Sequence, residues 1–403
     1  MNTSFLPAWP LEGTGALTVA LLALVAAALG EVAARIRVPR LVGYSIASLL
    51  FALMAAALAG VGLAPIDRLL AEQVLGVMGA IILFDVGQRV SWGWLRRNPA
   101  LLATSALECA LTFLIVFALL RVAGFSALAA ALAAAIAVAT SPAVALSVTR
   151  ELRAQGQVTE RSLLLTALNT VFAVLASTVL LAWVHVDTRG GVDNWVLHPL
   201  YLLFGSLALA AGMARLMLRV LAAIGRERAT QIVVVFAFVA LVYTLAQTLR
   251  LSPLLALLTC GAFARAFDRE RNLLAAELGL PAAIALVLFF ALSLTTIDLR
   301  LAASALPVAV ALVLLRALCK IFSTTALARA SGLAWGKGAL VGLALTPMSA
   351  VSLLLLRETA IANAQLAAQV AGVIIGAVLL MQIGGAFLLA FALRRAGEVR
   401  PQN

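Results

Sequence analysis

Asp85, Glu108, Arg316 and Lys320 are ionisable residues that stand inside long apolar stretches of this 403-residue chain. Where such a stretch crosses hydrocarbon, a charge costs roughly 2.5 to 3.5 kcal/mol on insertion scales, so each is a candidate for proton carriage, ion binding or charge pairing. Glu108 and Arg316 lie near the centres of their stretches, at depths of about 2 Å and 4 to 5 Å from the midplane by helix rise, and can pair. That pair is either structural or a switching device. Lys320, one turn beyond Arg316, either snorkels to the interface or is a desolvated amine able to release a proton. Asp85 and Arg89 make an i, i+4 pair at a helix end, which explains both without function.

Neutral oxygens accompany these charges. Ala139-Thr140-Ser141-Pro142-Ala143-Val144 and Leu345-Thr346-Pro347-Met348-Ser349-Ala350 each place a Thr/Ser/Pro cluster inside an apolar stretch. Asn169 and Thr170 fall at the depth of Thr140 and Ser141. Hydroxyl, amide and carbonyl oxygens suit a dehydrated alkali cation, although Asn and Thr in membrane helices also serve as interhelical hydrogen-bond partners. Pro142 and Pro347 break their helices, and hydrocarbon cannot satisfy the carbonyls this frees, so the breaks must face protein or a wet cavity. Paired breaks at matching positions point to a transporter's midplane site.

Other chemistry is thin. The two histidines, His185 and His198, form no H-E-x-x-H pattern, and Gly336-Lys337-Gly338 lacks phosphate-loop spacing. Cys109, Cys260 and Cys319 each fall within an apolar stretch, which argues against a disulfide framework. Gly338 with Gly342, and Gly372 with Gly376, allow close helix packing. No enzyme, cofactor or resident metal is expected, only a transported monovalent cation.

The elements that must hold these residues follow from composition: 64% hydrophobic and 11% charged, too few charges to cover a water-soluble domain. A helix of about 20 residues crosses the hydrocarbon layer, and thirteen such stretches are predicted: 15–34, 41–63, 72–90, 99–120, 127–148, 162–184, 198–221, 229–248, 252–267, 280–297, 302–324, 336–356 and 368–393. The ninth and tenth are short enough to be tilted or partly re-entrant. Continuous apolar runs exclude a β-barrel. No basic residue precedes Arg35, which excludes a secretory signal. The net charge of +12 sorts by side. Arg35, Arg37, Arg40, Arg96, Arg97, Arg150, Arg153, Arg226, Arg228, Arg269, Arg271, Arg394 and Arg395 share one face, the positive-inside bias, so no nucleic acid is implied. The expected arrangement is a single transmembrane transporter domain over 1–403 in the plasma membrane, the inner membrane if bacterial. Its N-terminus lies outside, its C-terminus in the cytoplasm, and it has no soluble domain.

An internal repeat fixes the architecture. Thr140 and Thr346 are 206 residues apart, as are Leu83-Phe84 and Phe289-Phe290, while Pro39-Arg40-Leu41 matches Pro253-Leu254-Leu255. Matching helices are seven apart, an odd shift that reverses their direction, giving inverted repeats at 38–184 and 251–393.

These residues resemble the monovalent cation/proton antiporter superfamily, sodium/proton exchanger type. Val38-Pro39-Arg40-Leu41-Val42-Gly43-Tyr44 is similar to its P-x-x-x-G-Y segment and Leu83-Phe84-Asp85-Val86-Gly87 to its L-F-x-x-G helix. Ala139 to Val144 is similar to its broken helix, and Leu251-Ser252-Pro253-Leu254-Leu255 to its L-S-P-L-L segment. The resemblance implies an all-α fold with two crossed broken helices in a mobile core, working against a scaffold that makes a homodimer in the bilayer, and exchange of Na+ or K+ for protons. It places Asn169 and Thr170 at the acidic ion-binding pair, and Glu108 with Arg316 at a structural ion pair. Thr170 departs from the family pattern, since a hydroxyl does not titrate near neutrality, and Ser349-Ala350 replaces Gly-Glu. Three readings follow: antiport with Glu108, Asp85 or Lys320 as proton site, transport of another solute without proton coupling, or a non-transporting membrane subunit or sensor.

Overall fold

The computed structural model describes residues 15–58, 68–89, 98–189, 197–224, 227–268, 279–295, 297–348 and 350–399. All regular elements among them are helices, as an apolar medium requires of backbone that must satisfy itself. In chain order they are α1 (Gly15–Arg35), α2 (Arg40–Leu58), α3 (Arg68–Arg89), α4 (Pro99–Val122), α5 (Ala127–Val138), α6 (Pro142–Glu151), α7 (Gln157–Arg189), α8 (Ser206–Ile224, preceded by a π-helical turn at Tyr201–Gly205), α9 (Arg228–Thr248), α10 (Pro253–Phe267), α11 (Gly279–Ser293), α12 (Leu299–Ser304), α13 (Leu306–Ala326), α14 (Trp335–Ala344), α15 (Ala350–Ala362) and α16 (Ala364–Arg395).

Each of the thirteen expected stretches carries helix. Among the described residues, eight helical stretches are long and apolar enough to cross a membrane unaided, and three more apolar helices are shorter. The ninth and tenth stretches are α10 and α11, of 15 residues each. The fifth stretch divides into α5 and α6, and the twelfth into α14 and α15. Residues 59–63 of the second stretch, together with Arg96, Arg97, Arg226, Arg269, Arg271 and Ser349, lie outside the described residues.

Local sequence sets the starts. Ser141 caps α6 by accepting from the Val144 amide at 3.3 Å, and Ser252 caps α10 by accepting from Leu255 at 3.3 Å. Each is followed by proline at the first helical position, where the missing N–H costs nothing. Asn363 caps α16 through the Leu366 amide at 2.9 Å.

Small residues bring the helices together. A Cβ on Gly87 would lie 2.0 Å from the Leu258 carbonyl, and one on Gly261 2.2 Å from the Phe84 carbonyl, so α3 and α10 touch backbone to backbone. Gly338 and Gly342 meet α13 at Thr324 and Ile321, while Gly372 and Gly376 of α16 meet Leu301, Ala305 and Ala309. These small-residue spacings serve packing within the chain. Gly261→Ala is expected to force α3 and α10 apart at a cost of about 1 to 3 kcal/mol, read as a lower melting temperature in detergent beside a Gly212→Ala control whose melting temperature should hold or rise, since alanine favours the helix interior. Gly212 has no atom within 4 Å of its would-be Cβ.

Candidate functional site

The two broken helices cross at their gaps. The Ser141 amide donates to the Pro347 carbonyl at 2.9 Å, and Thr140 Oγ1 donates to the Leu345 carbonyl at 3.1 Å. Thr140, Ser141, Thr346 and the proline backbones are thereby brought together at one buried point. Thr346 turns its hydroxyl back to the Leu343 carbonyl at 2.8 Å and offers its own carbonyl to the crossing.

Ending α5 at Val138 and α14 at Ala344 leaves carbonyls without helical partners. Arg316 of α13 takes most of them. Its Nε donates to Ala137 O at 2.6 Å, Nη2 to Ala139 O at 2.6 Å and to Pro347 O at 3.4 Å, and Nη1 donates to Thr346 O. The planar guanidinium fork presents several donors at once, and its charge opposes the negative ends of two half-helices. Arg316 is 1% exposed, and these buried carbonyls answer its donors.

The expected Glu108–Arg316 pair is corrected. Glu108 of α4 pairs with Lys320: Nζ donates to Glu108 Oε1, and both groups are buried. The carbonyl-rich crossing claims the guanidinium, and the helical turn between Arg316 and Lys320 leaves the ammonium opposite α4. The snorkelling alternative for Lys320 is also excluded, because its side chain is fully buried and bonds inward. Nζ donates to Val138 O at 3.3 Å and to Thr140 Oγ1 at 3.1 Å. The ammonium thus bridges a carboxylate, a carbonyl and a hydroxyl oxygen.

Asn169 and Thr170 of α7 complete the wall. Asn169 Nδ2 donates to Thr140 Oγ1 at 3.2 Å, while its Oδ1 accepts from Ser105 Oγ and Cys109 Sγ, both at 3.4 Å. Thr170 Oγ1 donates to the Thr166 carbonyl at 2.8 Å and reaches Thr140 O at 3.4 Å. Thr112 Oγ1 donates to Glu108 Oε1 at 3.3 Å. Ser105 and Thr112 escaped the sequence reading, and Cys109 entered it only as a cysteine outside any disulfide framework, although the three lie three residues before, four after and one after Glu108 on the same helix. Asp85 stands apart, in the expected pair with Arg89 at 3.2 Å. Among the described residues no cluster of His, Cys, Asp or Glu could hold a metal ion.

Comparison with known proteins bears on the fold and the family. No curated protein sequence matches the chain. Among solved structures, the sodium proton antiporter MjNhaP1 from Methanocaldococcus jannaschii at pH 8 is similar at 16% identity and a TM-score of 0.63, covering 94% of this chain and 95% of that one. An electron-microscopy structure of MjNhaP1 is similar at 17% identity and a TM-score of 0.71, covering 97% and 100%. These likenesses show the antiporter-like fold. The family model for "Sodium/hydrogen exchanger, transmembrane" matches residues 19–395, nearly the whole chain, which is a membrane transporter and belongs to the sodium/hydrogen exchanger family.

Proposed function

We propose that this chain exchanges a monovalent cation, Na+ or K+, for a proton by alternating access, with Glu108 as the anionic ligand and Lys320 as the proton carrier. One observation carries the reading: the Lys320 ammonium sits on Glu108, Thr140 Oγ1 and Val138 O, the oxygen set a dehydrated alkali cation would take. Loss of a proton turns the ammonium into a neutral amine, and the vacated oxygens then accept a cation of the same charge, with Asn169 beside them. Return of the proton expels the cation. The carboxylate that Thr170 lacks is supplied from α4, so coupling survives that departure.

Two inverted repeats meeting at one point support alternating access, because a single buried site then needs only a change in which side is closed. The clustering of Arg37 with Arg394, and of Arg40 with Glu151, at one end of the bundle supports that end as the cytoplasmic one.

The test is flux through purified protein in liposomes, with an internal pH-sensitive dye and external Na+, K+ or Li+. Saturable proton efflux with at least one cation is expected, and no response to any of them contradicts the reading. One proton per cation further implies electroneutral exchange. A net charge would feel about 2.3 kcal/mol per 100 mV, so an imposed potential of that size should change the rate less than about twofold. A steep voltage response would show a different stoichiometry. Uptake that ignores an imposed pH gradient would favour transport of another solute.

A further inference from the structure

Each broken helix carries, in its last turns, an acid that neither the crossing nor the ion pair uses. Glu151, the last residue of α6, accepts the Arg40 amide on both oxygens, at 3.0 and 3.2 Å. Glu358 of α15 accepts the Leu254 amide at 3.3 Å and the Ser252 hydroxyl at 3.4 Å on Oε1. The two amides are equivalent. Each follows a proline, Pro39 or Pro253, and each is among the free donors that open a helix. The acids are close to equivalent: Glu151 lies 11 residues beyond Thr140 and Glu358 12 beyond Thr346, so under the offset that aligns the two threonines Glu358 stands one residue past the position matching Glu151.

These contacts lie at opposite ends of the molecule. Glu358 precedes α16 by six residues, and Glu398 follows α16 and caps the α7 start beside α6, accepting from the Val158 and Thr159 amides at 2.9 and 2.8 Å. The 32 residues of α16 separate the two ends by about 48 Å at helical rise.

The contacts are also unequal. The Glu151 carboxylate holds its amide with both oxygens, whereas the Glu358 contact is longer and borders a cavity of about 790 Å³. Arg250, Arg357, His198 and Thr178 line that cavity with Glu358.

We propose that Glu151 and Glu358 are a matched pair of gate residues, each fastening one face of the transporter to the opening amide of a neighbouring helix, so that one contact tightens as the other loosens. The arrangement described has the Glu151 face fastened and the Glu358 face giving way to a cavity. The inference rests on the alternating-access reading and adds which groups hold each face shut. A pair of ordinary tertiary helix caps would give the same local contacts but no coupling between the faces.

The experiment is hydrogen-exchange mass spectrometry on the full chain in lipid nanodiscs, comparing wild type with Glu151→Ala and Glu358→Ala. Faster exchange at each variant's own face follows from losing a cap alone, so the far face is the readout. Glu151→Ala should slow exchange in 250–256 and 354–362, and Glu358→Ala in 36–44 and 148–154, each by about tenfold, the worth of one charge-assisted hydrogen bond of ordinary strength. A far face unchanged or loosened overturns the gate assignment. Glu151→Gln and Glu358→Gln, which keep the shape and lose the charge, carry the same test should the alanine variants fail to assemble. Since exchange needs no cation flux, a coupled far face in a protein without antiport would sink the transport reading and leave the gates standing.

Discussion

Glu108→Gln should reduce cation-dependent proton flux at least about a hundredfold in reconstituted vesicles while the protein still assembles. The substitution keeps the side-chain volume and a hydrogen-bonding oxygen but removes the only carboxylate at the crossing among the described residues. A buried cation needs an opposite charge, since desolvation costs several kcal/mol per ion that neutral oxygens do not return, and a difference of about 2.7 kcal/mol is already a hundredfold. In that variant Lys320 would meet neutral oxygens alone, the new amide beside Thr140 Oγ1 and Val138 O, and no carboxylate would be left for ammonium and cation to contest. Flux within about threefold of wild type would show that the coupling carboxylate lies elsewhere.

Arg316→Met should act on the fold itself. The guanidinium answers the carbonyls of Ala137, Ala139, Thr346 and Pro347, and methionine answers none. Pro347 O keeps the Ser141 amide, but taking a donor from each of the other buried acceptors costs about 1 to 3 kcal/mol, and partial relaxation of the broken helices limits the sum to about 3 to 5 kcal/mol. A fall in melting temperature of roughly 5 to 10 °C is expected in detergent, larger than for Gly261→Ala. Arg316→Lys should recover part of it, since an ammonium keeps the charge but not the fork. Equal stability of wild type and Arg316→Met would mean that water or another donor reaches those carbonyls.

Architecture was legible in the sequence wherever one strong rule applied. Apolar length located the helices, proline within a Thr/Ser cluster located both breaks, and the offset of 206 residues between Thr140 and Thr346 brought them to one point, where Ser141 and Pro347 bond. Partner choice was less legible. Glu108 and Arg316 share a depth, and depth alone pairs them. What decides the matter is that two half-helices end beside Arg316, and the demand of their carbonyls cannot be counted before the crossing geometry is known. Lys320 looked peripheral by helix rise along a straight axis, yet its four-carbon stem brings the ammonium back to Glu108. Ser105 and Thr112 were passed over as small residues in an apolar helix, and Cys109 was weighed only for disulfides, although their spacing around Glu108 follows the helical period. Glu151 and Glu358 fell just beyond the apolar windows, where an acid reads as interfacial. The signal that could have found them was their similar distance, 11 and 12 residues, from the two threonines.

The proposed competition between a cation and the Lys320 ammonium for Glu108 can be tested most directly by counting protons released when purified protein binds a cation in weakly buffered detergent solution. Wild type should release about one proton per cation bound, the value for exchange of an ammonium's proton against one monovalent charge, and Glu108→Gln should bind no cation and release none. Cation binding by wild type without proton release, or the same proton count from Glu108→Gln, would contradict the assignment.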